Sequence, residues 1–195
     1  MSFRKLSGLT RGLSCLAAAL LLAAFALSPA RAQSTVPADL SFQQTSGGSV
    51  ALSAFAGRKA VVVVFLNPAC AYTRLYQERL SALSSAFGGR GVQFLFVNVP
   101  INLDANEGGG SGALATYADS GPASAALGVS RTTEAVVLQP VGGSFAVRYR
   151  GAIDDNPQVA SGVQQAYLQQ VLESLLAGRP TAVADKRAAG CLIKR

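Results

Sequence analysis

The stretch Ala60-Val61-Val62-Val63-Val64-Phe65-Leu66, followed at once by Asn67-Pro68-Ala69-Cys70, decides how this chain is read. Seven consecutive apolar residues, four of them valine, are the pattern of a strand buried on both faces in the middle of a sheet. Asn67-Pro68-Ala69 ends it. Leu75, Tyr76, Leu80, Leu83 and Phe87 then recur at helical spacing, which predicts a helix over 71–87 stopped by Gly88-Gly89. Val92–Val99 is a second apolar strand. Strand, helix and strand at this spacing make a βαβ unit, and the fold class expected is α/β.

Outward from this unit the signals weaken. Leu40–Gln44 and Ser49–Leu52, joined by Ser46-Gly47-Gly48, predict a hairpin ahead of the buried strand. Pro100–Gly112, with its Gly108-Gly109-Gly110 run, reads as a loop inserted after the second strand. Leu114–Tyr117 is a short strand candidate and Pro122–Leu127 a short helix with proline in its first turn. Ala135–Leu138 and Phe145–Tyr149 predict two strands linked by 139–144, the second near a sheet edge. Val159–Leu176 has the apolar period of a final helix, ended by Gly178 and Pro180. The expected layout is a leader over 1–32, one α/β domain over 33–180, and a tail over 181–195 that carries Cys191.

The N-terminus has a chemistry of its own. Arg4, Lys5 and Arg11 precede an almost unbroken Leu/Ala/Phe run over 13–27, and the small-x-small triplet Ala30-Arg31-Ala32 follows. This is the layout of a secretory signal peptide cleaved after Ala32. The run is short for a bilayer-spanning helix, although an uncleaved anchor is the alternative. Cys15 lacks the context of a lipid-attachment site. Loss of residues 1–32 removes four basic residues and no acid, so the formal charge falls from +7 to +3. No dense basic run with interleaved aromatics remains, and nucleic acid is not an expected partner. Arg148 and Arg150 alternate on a strand and read as a solvated face.

Without residues 1–32 the chain keeps two cysteines, Cys70 and Cys191, and it contains no histidine. The absence of histidine excludes a Ser-His-Asp triad, a Cys-His dyad and any His-based metal site. One disulfide is possible, and an oxidising compartment would let it persist. Cys70 falls where the buried strand gives way to the helix. The free N–H groups and dipole of a helix N-terminus stabilise a thiolate there. The alternative is an inert buried thiol. Asp154-Asp155 reads as a turn or a cation ligand. Gly108–Gly112 lacks the lysine of a phosphate loop.

Four segments in order carry a resemblance. Ser46–Leu52, Val61–Thr73, Gly128–Ala135 and Tyr149–Asp155, with the tail Ala189-Gly190-Cys191-Leu192-Ile193, resemble an exported redoxin branch of the thioredoxin superfamily, related to thioredoxins and to AhpC/TSA peroxiredoxins. The resemblance spans roughly residues 40–193 and implies a thioredoxin-like fold, a mixed central sheet flanked by helices. It also implies thiol-based oxidoreductase or peroxidase-like chemistry, with a dithiol protein or reductant as partner and a hydroperoxide as a candidate substrate. Cys70 would be the nucleophile. Arg131 would hold its anion, and Thr73 would bond the thiolate or serve only to start the helix. Cys191 would resolve an oxidised Cys70 from a mobile tail, or pin the tail permanently.

The departures are specific. Thr73 stands where a CxxC motif has its second cysteine. Asn67, three before Cys70, breaks the peroxiredoxin pattern PxxxTxxC. Thr133 occupies the place where a cis-proline is usual. No cofactor is expected, and a soft metal held by the two cysteines is a minor alternative. A redox-inactive module that kept the fold is the competing reading, so enzyme status stays open at this point.

Overall fold

The computed structural model describes residues 34–102, 114–181 and 183–194. The leader over 1–32 and the glycine run 108–110 lie outside these residues. No described helix is long and apolar enough to cross a membrane.

The seven-residue apolar run is β4 (Ala60–Leu66), and every residue in it is buried. Its alternation supplies two cores at once. Ala60, Val62, Val64 and Leu66 face one cluster, closed by Tyr76, Leu80 and Phe87 of α1 (Ala71–Gly88) and by Leu168, Val171 and Leu172 of α3 (Tyr167–Leu176). Val61, Val63 and Phe65 face the other, closed by Ala123 of α2 (Pro122–Ala126) together with Leu127, Val129, Leu52 and Phe42. A strand covered by helices on both sides has no face left for polar residues, which is why the run is uninterrupted.

The described sheet has eight strands, β1 (Thr35–Pro37), β2 (Ser41–Gln44), β3 (Ser49–Ala51), β4, β5 (Val92–Asn98), β6 (Tyr117–Ala118), β7 (Ala135–Val141) and β8 (Ser144–Gly151), in the order β1-β8-β7-β4-β5-β6-β2-β3. β4 pairs parallel with β5 and antiparallel with β7, and β7 pairs antiparallel with β8. The order β5-β4-β7-β8, with α1 between the first two strands in sequence and α3 after the last, is the thioredoxin-like arrangement that was expected. β2 and β3 form the expected hairpin. β1 covers the outer side of β8, and the two-residue β6 joins β5 to β2.

Four details differ from the sequence reading. The final helix begins at Tyr167, not Val159. The Asp155 carboxylate accepts the Gln164 N–H at 2.9 Å and the Asp155 N–H donates to the Gln165 carbonyl, which folds this segment back before the helix can start. The connection between β7 and β8 shrinks to Gly142-Gly143, because both glycines take positive φ and a two-residue turn then suffices. Leu75 is 46% exposed. The buried stripe of α1 runs through Thr73, Tyr76 and Leu80, which leaves Leu75 to one side. Arg148 and Arg150 are half-buried, not solvated: Arg148 Nε donates to Gln139 Oε1 at 2.7 Å, and the Arg150 guanidinium lies against Gly128.

Asp154 and Asp155 part company. Asp154 is buried, paired with Arg79 at 2.7 Å and accepting the Tyr76 O–H at 2.7 Å. Burial and this bond to a carboxylate push the Tyr76 phenol well above its ordinary value. Asp154 therefore ties α1 to the segment after β8, a structural role for which a bound cation is not needed.

Candidate functional site at the Cys70–Cys191 disulfide

Cys70 is the N-cap of α1 and sits at the carboxyl end of β4. The turn that delivers it is held from several sides. Asn67 Nδ2 donates to the Val99 carbonyl at 2.7 Å, and the Ala69 N–H donates to Asn67 Oδ1 at 2.9 Å. The Cys70 N–H donates to the Asn67 carbonyl at 3.0 Å. Arg74 Nη1 reaches back to the Pro68 carbonyl at 3.0 Å. Asn67 is thus the organiser of the turn, which accounts for an amide at that position.

Cys70 and Cys191 are joined in a disulfide with their Cα atoms 6.0 Å apart, across 121 residues of sequence. The sequence left their proximity open. The tail closes the distance because it is docked along its length. The Thr132 N–H donates to the Cys191 carbonyl at 2.9 Å, and the Ile193 N–H to the Ser130 carbonyl at 3.0 Å. On the other side the Asn102 N–H donates to the Leu192 carbonyl at 2.9 Å and the Lys194 N–H to the Pro100 carbonyl at 2.9 Å. The tail is therefore a strap between the loops at 100–102 and 130–132.

Gly190 makes the approach possible. A methyl group there would overlap the Thr132 carbonyl oxygen, so no larger residue fits this strap position without displacing it.

Thr132, which the sequence reading passed over, lies at the centre. Its hydroxyl donates to Cys70 Sγ at 3.1 Å and accepts the Cys191 N–H at 2.9 Å. Both bonds use one fully buried side chain, so a single residue ties the sulfur to the tail. The signal was present in part: Thr132 immediately precedes the position of the usual cis-proline.

Thr133, at that position, has φ +58°, and its N–H donates to the Phe65 carbonyl at 2.7 Å. A proline is confined to φ near −65° and has no N–H, so it is incompatible with this backbone. Left-handed backbone at a β-branched residue costs on the order of 1–3 kcal/mol. Here β4 supplies one restraint, and the Thr133 hydroxyl supplies another by donating to the Ala189 carbonyl of the strap.

The other two candidates act on the scaffold around the sulfurs. Thr73 Oγ1 accepts the Asn67 N–H at 3.2 Å, which places it in the turn and favours its role as a helix-start residue. Arg131 Nη1 donates to the Gly190 carbonyl at 2.9 Å, so its guanidinium grips the strap one residue before Cys191. Among the described residues no group of three or more His, Cys, Asp or Glu side chains could hold a metal ion. With the two sulfurs bonded to each other, neither is a thiolate ligand in this state.

No protein-family model matches the chain, and no curated protein matches its sequence. Solved structures do match. A hypothetical protein from Sinorhizobium meliloti 1021 superposes with a TM-score of 0.70 at 20% identity, covering 83% of this chain and 93% of that one. An uncharacterized conserved protein from Geobacillus kaustophilus gives 0.68 at 21% identity, over 85% and 94%. A structure of MTB dsbF in its mixed oxidized and reduced forms gives 0.49 at 18% identity, over 72% and 99%. With β5-β4-β7-β8 at the centre of its sheet and α1 springing from the end of β4, the chain is a thioredoxin-fold protein.

Proposed function

We propose that this protein is an exported thiol–disulfide oxidoreductase whose redox couple is Cys70–Cys191. The observation that carries the reading is the disulfide itself: a bond from the N-cap of α1 to a tail cysteine, with a buried hydroxyl donated to the N-cap sulfur. A thiolate released at Cys70 is stabilised by the N–H groups of the first helical turn and by Thr132. In the exchange, a partner dithiol gives up two electrons and two protons and becomes a disulfide. The Cys70–Cys191 bond breaks, and each sulfur leaves as a thiol. The reverse direction oxidises a partner. Arg131 is engaged with the strap carbonyl, which favours exchange over a peroxidase-type site, where an arginine would face the thiolate.

Export is supported by the basic, apolar and small-residue layout of 1–32 and by the fit of a disulfide to an oxidising compartment. Cleavage after Ala32 leaves two residues, Gln33 and Ser34, ahead of the start of β1 at Thr35. The mass of the secreted protein tests this directly.

A second reading has its own observation. Cys70 is fully buried and the strap is bonded on both sides, as a permanent staple would be. Turnover separates the two. The purified mature protein is assayed for catalysed reduction of a protein disulfide by dithiothreitol, beside Cys70→Ser and Cys191→Ser and with a hydroperoxide arm. Exchange predicts turnover that both substitutions abolish. Peroxide consumption without disulfide exchange replaces the reading with a peroxidase. Inactivity in both arms favours the staple.

A further inference from the structure

The two sulfurs of the couple are not equivalent. Cys70 has 0% exposure, beneath the strap. Cys191 is only partly buried, and its neighbour Leu192 is 49% exposed. A nucleophile arriving from solvent therefore meets the Cys191 side of the bond first.

The polar groups are unequal in the same sense. The Thr132 O–H is aimed at Cys70 Sγ, not at Cys191. Cys70 also caps α1, whereas Cys191 lies in an extended strap with no helix behind it. Thiol–disulfide exchange runs fastest when the departing sulfur is the better-stabilised anion. Accessibility and leaving-group stability thus select the same sulfur for attack.

From this we infer that Cys191 is the catalytic sulfur that partners engage, and Cys70 the buried leaving group; the inference rests on the exchange reading above. The partner class is a protein dithiol. Its first thiolate attacks Cys191 Sγ and forms a mixed disulfide, while the bond to Cys70 breaks and its electron pair leaves as the Cys70 thiolate. The partner's second thiolate then attacks its own sulfur in that mixed disulfide. Cys191 departs as a thiolate, and the partner leaves oxidised. Protons from solvent neutralise the two thiolates. This polarity is opposite to the one suggested by sequence, in which Cys70 is the nucleophile and Cys191 resolves it.

The test uses the oxidised, full mature protein and reduced glutathione as a monothiol, which cannot complete the second step. The reaction is quenched early with acid. Free thiols are alkylated with iodoacetamide under denaturing conditions, and both cysteine peptides are mapped by mass spectrometry. The expected result is glutathione on Cys191 and the alkyl group on Cys70, favoured over the reverse by at least about tenfold. Glutathione on Cys70, or equal labelling, overturns the inference and leaves the exchange reading standing. A disulfide that yields no adduct until guanidinium unfolds the protein overturns both.

Discussion

Thr132 carries two hydrogen bonds that matter in different redox states. In the disulfide state it fixes the strap by accepting the Cys191 N–H. On the proposed exchange reading, its O–H, aimed at Cys70 Sγ in the disulfide, would donate to the Cys70 thiolate once the bond is reduced, and a hydrogen bond to a charged group is worth about 1.5–3 kcal/mol. Thr132→Val keeps the shape but removes both the donor to Cys70 Sγ and the acceptor of the Cys191 N–H. It is expected to raise the midpoint in the pH profile of Cys70 alkylation in the reduced protein by about one pH unit or more. Thr132→Ser should restore the midpoint. An unchanged midpoint in the valine variant would limit Thr132 to holding the strap. This residue was hard to find from sequence because its importance comes from contacts 62 and 59 residues away. Cys70 was easy, since its position follows from a local change of period.

At the scale of elements, the strap and the start of α3 are the parts that sequence described least well. The strap has no apolar period because it is held by backbone hydrogen bonds to two loops, and such bonds leave no side-chain pattern. Its one legible constraint is Gly190, where the Thr132 backbone comes too close for a side chain. Gly190→Ala is expected to destabilise the oxidised protein by about 1–3 kcal/mol in urea unfolding and to slow formation of the disulfide. Unchanged stability and rate would mean that the strap docks less closely than described. At the start of α3, backbone hydrogen bonding from Gln165 and Gln164 holds the Asp155 carboxyl below its ordinary 3.8. The folded form therefore prefers the carboxylate. Its contribution to stability is complete above the unfolded value and is lost as pH falls through the lower folded one. Asp155→Asn should be less stable than the parent at neutral pH, with the difference shrinking below about pH 4 in thermal unfolding. A difference that persists in acid would assign the effect to packing. By contrast, β4, α1 and β5 were legible to within a residue or two, because burial on one or both faces imposes a period on the sequence.

Across the whole molecule, one bond connects the middle of the sheet to the end of the chain. Closing a loop of 121 residues stabilises the fold by up to about 5 kcal/mol through the entropy it removes from the unfolded chain. Linkage makes this reciprocal: folding, by bringing Cys70 and Cys191 together, shifts the balance toward the disulfide by the same amount relative to the unfolded chain. The loops at 100–102 and 130–132 and the strap between them are the parts of the fold that set this bias, and they lie far apart in sequence. Whether the bond works as a redox couple is read by equilibrating the native, mature protein in glutathione buffers of graded potential and following the Cys70–Cys191 disulfide by mass-tagged alkylation. The expected result is one reversible transition, identical when approached from the oxidised and the reduced protein, with the far-ultraviolet circular dichroism unchanged throughout. A disulfide that persists in the most reducing buffer, and opens only when denaturant unfolds the chain, would contradict the account.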